Sequence, residues 1–257
     1  MADSVSDKSS LLSGWLSLLG NRLLLALLAV SLIPLALTGI AMYRSSADSL
    51  RKQTFNQLET VRTITAKSVQ RYFAGLQDQL RVASEDRMTV DALRQFKAAV
   101  ATLAADTKAD EKSLTATRRG LETFYTGEFT NEYRRRNGSD VDAKPLGESL
   151  DDVSAILQDL YIRRNPNPIG SKHLFDAADD GSRYTQAHAL FHPVFRSMML
   201  KYGLSDIFLI DTDSGRVVYS VFKEADFAAP LKSGPLAGTN LARAVQEAAS
   251  SGRRDAV

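Results

Sequence analysis

His188 and His192 stand four residues apart in a stretch of helical character. That spacing places two imidazoles on one helix face, where they could hold a zinc ion or a haem iron, or act as a polar face with structural hydrogen bonds. A third ligand is not evident. The zincin pattern needs glutamate after the first histidine, and Ala189 stands there, so no metal ligands are assigned. Asp211-Thr212-Asp213-Ser214-Gly215 has the opening composition of a calcium loop, but Arg216 follows where that pattern places its glycine. A hairpin turn is the reading adopted. Lys223-Glu224-Ala225-Asp226-Phe227 offers a lysine and two carboxylates beside a predicted sheet edge. Two uses are open to it, a charged ligand or a solvated loop, and the solvated loop is preferred.

Other chemistry finds no residues. The chain has no cysteine, which excludes disulfides, thiolate catalysis and Cys-based zinc sites. No Ser-His-Asp spacing, phosphate-cradling glycine loop or paired-carboxylate site is recognisable, so nothing argues for an enzyme and no cofactor is expected. Net charge is only +2, and the run Arg134-Arg135-Arg136 is too short for a basic stripe, so a nucleic-acid partner is not expected.

The elements that must position these residues begin with a membrane span. Leu23 to Tyr43 is apolar and uncharged over 21 residues, close to the ~20 a helix needs to cross the hydrocarbon core. The run is longer than a signal-peptide core, which favours an uncleaved anchor. Leu11 to Leu19, with Trp15, either extends it or lies in the interface. Lys8 and Arg22 precede the span while Arg44, Arg51 and Lys52 follow it, so charge does not decide orientation. A short cytoplasmic tail at 1–22, a span at 23–43 and a large outer domain is the arrangement adopted.

Residues 44–105 hold apolar side chains at steps of three and four, from Leu50 through Phe55, Leu58, Val61 and Ile64 to Leu80. This predicts a long helix with a break near Ser84 to Arg87. Its stripe packs on its own domain or pairs with a second copy in a homodimer. In 106–257, Thr107 to Gly120 reads as a connection. Leu121 to Arg136 and Ser149 to Arg163 read as helices, the latter capped by Ser149. Asn165 to Gly170 reads as a loop, and Arg183 to Tyr202 as a helix kinked or divided at Pro193 and stopped by Gly203. Asp206 to Asp211 and Arg216 to Phe222 form a predicted hairpin, and Leu241 to Ala249 a helix capped by Thr239 or Asn240. One hairpin is marginal alone, so the sheet is expected to be incomplete at the C-terminus of this chain. The fold class is α+β.

Residues Asp206 to Leu231, DIFLIDTDSGRVVYSVFKEADFAAPL, resemble the Cache sensor domains of bacterial transmembrane receptors of the methyl-accepting chemotaxis type. The preceding Tyr184, His188 and Tyr202-Gly203 are similar to one subgroup of them. The likeness is specific from about Asn165 to Leu236 and one of layout before that. It implies a PAS-like antiparallel sheet behind a long N-terminal helix, in the periplasm and anchored in the inner membrane. It also implies a small-molecule ligand coupled to a cytoplasmic output beyond this chain. That output is a methyl-accepting domain or, in alternative receptors, a histidine kinase or nucleotide cyclase. A rival from another class is an anchored metal-dependent enzyme using His188 and His192. The amino-acid-binding motif of double Cache domains is not found, so no ligand residues transfer. Tyr184, His188, Arg196, Tyr219, Lys223 and Asp226 are the candidates by position and chemistry.

Overall fold

The computed structural model describes residues 19–251. The predicted cytoplasmic tail and interfacial segment, up to Leu18, lie outside them. The chain divides into two compact units, Met1–Gly75 and Leu76–Val257. Helix α1 (Leu19–Glu85) begins in the first. Its apolar part has a mean hydropathy of 2.5 over its best window, none of it buried, so it is long and apolar enough to cross a membrane. Pro34 lies inside it. Thr38 Oγ1 donates to the carbonyls of Pro34 (2.8 Å) and Leu35 (3.0 Å), one turn below. The stripe from Leu50 to Phe73 is exposed.

The second unit is built on α2 (Arg87–Asp106). The predicted break falls at Asp86, whose carboxylate accepts from Met88 N–H at 2.8 Å. Ala92, Phe96, Ala99 and Leu103, at helical spacing, are its buried face. The connection predicted over Thr107 to Gly120 is corrected: α3 (Glu111–Phe124) occupies most of it. A capping box starts this helix, Asp110 accepting from Ser113 N–H at 2.7 Å and Ser113 Oγ from Asp110 N–H at 2.9 Å. Its buried apolar residues, Leu121 and Phe124, come only at its end, which hides the period in a charged stretch.

A π-helical turn (Tyr125–Phe129) then leads into α4 (Thr130–Asn137), which stops at Gly138 (φ 69°). After α5 (Lys144–Glu148) comes α6 (Asp152–Gln158), ending in a second π-helical turn (Asp159–Arg163). The predicted cap Ser149 is also corrected. Asp151 caps α6 by accepting from Ser154 N–H at 2.8 Å, while Ser149 closes α5. The loop from Asn165 contains a 3-10 turn at Lys172–Leu174 and leads to α7 (Arg183–Tyr202). Pro193 does not divide α7. Phe191, Phe195 and Met199 are buried around it, and that packing outweighs one missing donor.

Strands β1 (Phe208–Asp211) and β2 (Arg216–Ser220) pair antiparallel, with a bulge between Leu209 and Ile210. The bulge inserts Val218, so Val217, Val218 and Tyr219 are all buried. Residues 229–231 run along the other edge of β2. Val217 N–H donates to Ala229 O (3.2 Å) and Leu231 N–H to Gly215 O (2.8 Å). Gly215 turns the hairpin at φ +71°, where a Cβ would meet Lys232 Cγ at 2.6 Å. Helix α8 (Asn240–Ser250) is capped by Thr239. Among the described residues 71% are helical, with a two-stranded antiparallel sheet, α+β in coarse terms. A larger PAS-like sheet is not found among the described residues.

Candidate functional site

The two histidines are interior residues. His188 and His192 project from α7 into the core, fully buried, their rings stacked with centroids 4.3 Å apart. His192 Nε2–H donates to His173 O (2.8 Å), and Nδ1 accepts from Tyr219 O–H (2.7 Å). His188 Nδ1–H donates to Asp176 O (2.6 Å), leaving its buried Nε2 without a partner. Burial first, and the Lys223 charge next, push both imidazoles down, His192 to about 3. Both are neutral at pH 7. Among the described residues no group of three His, Cys, Asp or Glu side chains gathers in ligating geometry.

Tyr161, Tyr184, Tyr219 and Phe96 surround this pair. The His188 ring lies 4.4 Å from Tyr161, 6.4 Å from Tyr184 and 5.7 Å from Tyr219. Tyr184 O–H donates to Val218 O at 2.8 Å, tying α7 to β2. Of the six residues named from sequence, Tyr184, His188, Tyr219 and Lys223 thus meet in one buried cluster.

Arg196 and Asp226 lie apart from it. Arg196 Nη1 donates to Asp176 Oδ1 (2.6 Å) and to His173 O (3.0 Å), the carbonyl His192 also uses. It locks the 3-10 turn onto α7. Asp226 is largely buried, with Oδ1 enclosed and unpartnered. Burial first, then the charges of Asp206 and Glu224, raise its carboxyl to about 7.

The solvated-loop reading of Lys223 to Phe227 is corrected at Lys223, which is 1% exposed. Its backbone takes φ +59°, an unusual turn for a lysine, directly after β2. The amine donates to Ser220 O at 2.7 Å and lies 4.9 Å from the Tyr219 ring centroid, 5.5 Å from Phe227 and 5.8 Å from Tyr161. These ring faces replace part of the lost hydration. Burial pushes this amine well down.

The turn predicted at Asp211 to Gly215 is a hairpin turn whose carboxylates serve structure. Asp211 accepts from Ser214 Oγ (2.6 Å), and Lys97 bridges Asp211 (2.7 Å) and Asp213 (2.5 Å), joining α2 to the hairpin.

Lys223 also lines a cavity of about 300 Å³. Its walls come from the end of α3, both π-helical turns (Tyr125, Phe129, Ile162), α4, the proline loop (Ile169, Gly170, Lys172) and Lys223 to Ala225. A π-helical turn inserts one extra residue and re-aims neighbouring side chains, which is why such turns recur at binding sites. Three residues that organise this region carried no signal as site residues. Asp206 Oδ1 accepts from the amides of Ile207 (2.6 Å), Val221 (2.9 Å) and Phe222 (3.1 Å). Gln158 Nε2 donates to Phe227 O (2.7 Å) while its Oε1 accepts from Tyr125 O–H (2.7 Å). Lys172 is a lone lysine in an apolar-poor loop. Only its burial, at 3% exposure, marks it.

Comparison with protein-family models, with curated proteins and with solved structures finds no match to the chain.

Proposed function

We propose that the chain is the membrane-anchored sensory part of a chemoreceptor-type signal transducer. Its second unit takes up a small ligand in the periplasm, and α1 carries the resulting change to the inner membrane and an output domain beyond this chain. The observation that carries this reading is the cavity of about 300 Å³ in the second unit. It is walled by two π-helical turns in a chain whose first unit holds a helix apolar enough to span a bilayer. A ligand there touches α3, α4 and the segment after β2 together, so it has differential contacts with any two arrangements of those elements. The exposed stripe from Leu50 to Phe73 is assigned to a second copy of the chain, in a helix-paired homodimer.

Two measurements bear on it. A reporter active only in the periplasm, fused after Ala105, is expected to be active, and silence there removes the proposed orientation. The full chain in lipid nanodiscs, screened against a broad metabolite library, is expected to show a specific compound that raises the melting temperature. Saturation at about a hundredfold over Kd contributes ~2.7 kcal/mol, a shift of about 5 °C or more for a unit of this size. A library without a single specific shift counts against sensing.

A further inference from the structure

We infer that the cavity between the two π-helical turns takes an uncharged, flat aromatic molecule of one or two rings. This rests on the sensor reading and names its ligand class.

The polar groups around this cavity are already engaged inside the fold. Glu132 is held by Arg135 (2.6 Å) and Arg136 (2.6 Å), and Arg136 Nη2 donates to Ile169 O at 2.9 Å. Lys172 Nζ donates to Asn165 O at 3.1 Å and Lys223 Nζ to Ser220 O at 2.7 Å, carbonyls that stand outside the cavity wall. Burial pushes both amines down toward the neutral form, while the charge of Glu128 acts on Lys172 and that of Asp206 on Lys223. Tyr125 O–H donates to Gln158 Oε1 at 2.7 Å, and Asn137 Nδ2 to Tyr133 O at 3.0 Å. Glu224 is exposed. A charged ligand entering here gives up its hydration and finds the guanidinium and both amines already bonded elsewhere.

The wall itself is mostly apolar. Phe124, Tyr125, Phe129 and Tyr133 supply four rings from one continuous stretch, and Ile162 and Ile169 come from the second π-helical turn and the proline loop. Tyr125, Phe129 and Tyr133 repeat at steps of four, the first step being the π-helical turn itself. The Tyr125 ring stands edge-on to Phe124 and to Phe129, with centroids 5.4 Å apart in each case, and Phe129 stacks with Tyr133 at 6.5 Å. Gln158 holds the far end of Tyr125, which fixes this array before any ligand enters.

Aromatic rings gain beyond area burial when they meet another ring edge-to-face or offset-stacked. A flat aromatic ligand therefore extends the array, where a saturated one only fills space. The volume of about 300 Å³ lies at the small end of ligand cavities, which limits the body to one or two rings.

The test uses the full chain in lipid nanodiscs with indole and 2-naphthol, both uncharged at pH 7. Beside them stand indole-3-carboxylate and 2-naphthoate, which carry the same rings with a charge, and decahydro-2-naphthol, which is saturated. Indole and 2-naphthol are expected to raise the melting temperature, with at least tenfold weaker binding of the other three. Ala225→Leu, which narrows the cavity, is expected to abolish the shift. If that variant does not fold, Phe129→Ala, which removes one ring of the array, is expected to weaken binding at least tenfold. Acids or the saturated alcohol matching the two aromatic probes overturn the ligand class, and shifts unchanged in the variant that folds overturn the site. Sensing stands in each of these cases. Silence of all five probes also overturns the assignment, and the metabolite library then decides separately whether the unit senses anything.

Discussion

Replacing Phe96 by alanine lowers the unfolding free energy by about 3–5 kcal/mol. The ring is fully buried at the meeting of α2, α7 and β2. It stacks on Tyr219 at 4.8 Å and lies 5.1 Å from Tyr184 and 6.1 Å from Phe191, with His188 at 6.4 Å. Its neighbours are themselves restrained, Tyr184 by its bond to Val218 and Tyr219 by its bond to His192, so they cannot collapse into the space left behind. A site that cannot relax shows the upper part of the cavity cost. Phe96→Leu, which keeps most of the volume, loses less, about 1–2 kcal/mol. Chemical denaturation of both variants reads the difference directly. A loss for Phe96→Ala under about 1 kcal/mol would mean that the three elements are not held through this ring.

The second large effect is a contribution from Asp226 that turns against folding as pH rises. Asp226 ionises near pH 7 in the folded chain because burial, Asp206 and Glu224 all disfavour its charge. An unfolded aspartate ionises near 3.9. Between those values the unfolded chain has released a proton that the folded chain still holds, so each step up in pH favours unfolding. The penalty is complete above about pH 7, at roughly 2 kcal/mol for a largely but not wholly buried carboxyl. Asp226→Asn removes it, so this variant is more stable than the parent at pH 8 and equal to it near pH 4. Glu132 and Asp211, both held near 2 by partners, act in the opposite sense below pH 4.5, and the buried His188 and His192 act in the opposite sense up to about pH 6.5, so the comparison is made against the variant, where those contributions cancel. Melting temperatures of parent and variant across pH 4 to 8 make the comparison. Parallel profiles would show that Asp226 keeps an ordinary carboxyl.

Much of the chain's order is local and was legible. The helical period before residue 105 anticipates α2, with Phe96 and Leu103 on its buried face, and Gly203 (φ 65°) stops α7 where its lack of a Cβ allows it. The hairpin lies within the predicted strands, and Thr239 caps α8 as expected. What escaped reading is of another kind. Helix α3 hides because an Asp110–Ser113 capping box begins it while most of its length faces water. The π-helical turns leave no periodic trace, since each displaces the pattern by a single residue.

The candidate site divides the same way. The spacing of His188 and His192 correctly put two imidazoles on one helix face. It said nothing of their partners, because the His173 and Asp176 carbonyls reach them from a loop and Tyr219 from a strand. Lys223 was read as solvated because a lysine's charge favours water by default. Its burial depends on the rings of Tyr161, Tyr219 and Phe227 converging from three separated segments. By itself, then, the sequence determined an apolar helix able to span a membrane, the amphipathic helices and the hairpin, since each needs only near neighbours along the chain. Only the tertiary structure decided that Lys172 and Lys223 share one cavity. The cost of burying a charge can be met only by groups far away in sequence, and those meet only when the chain has folded.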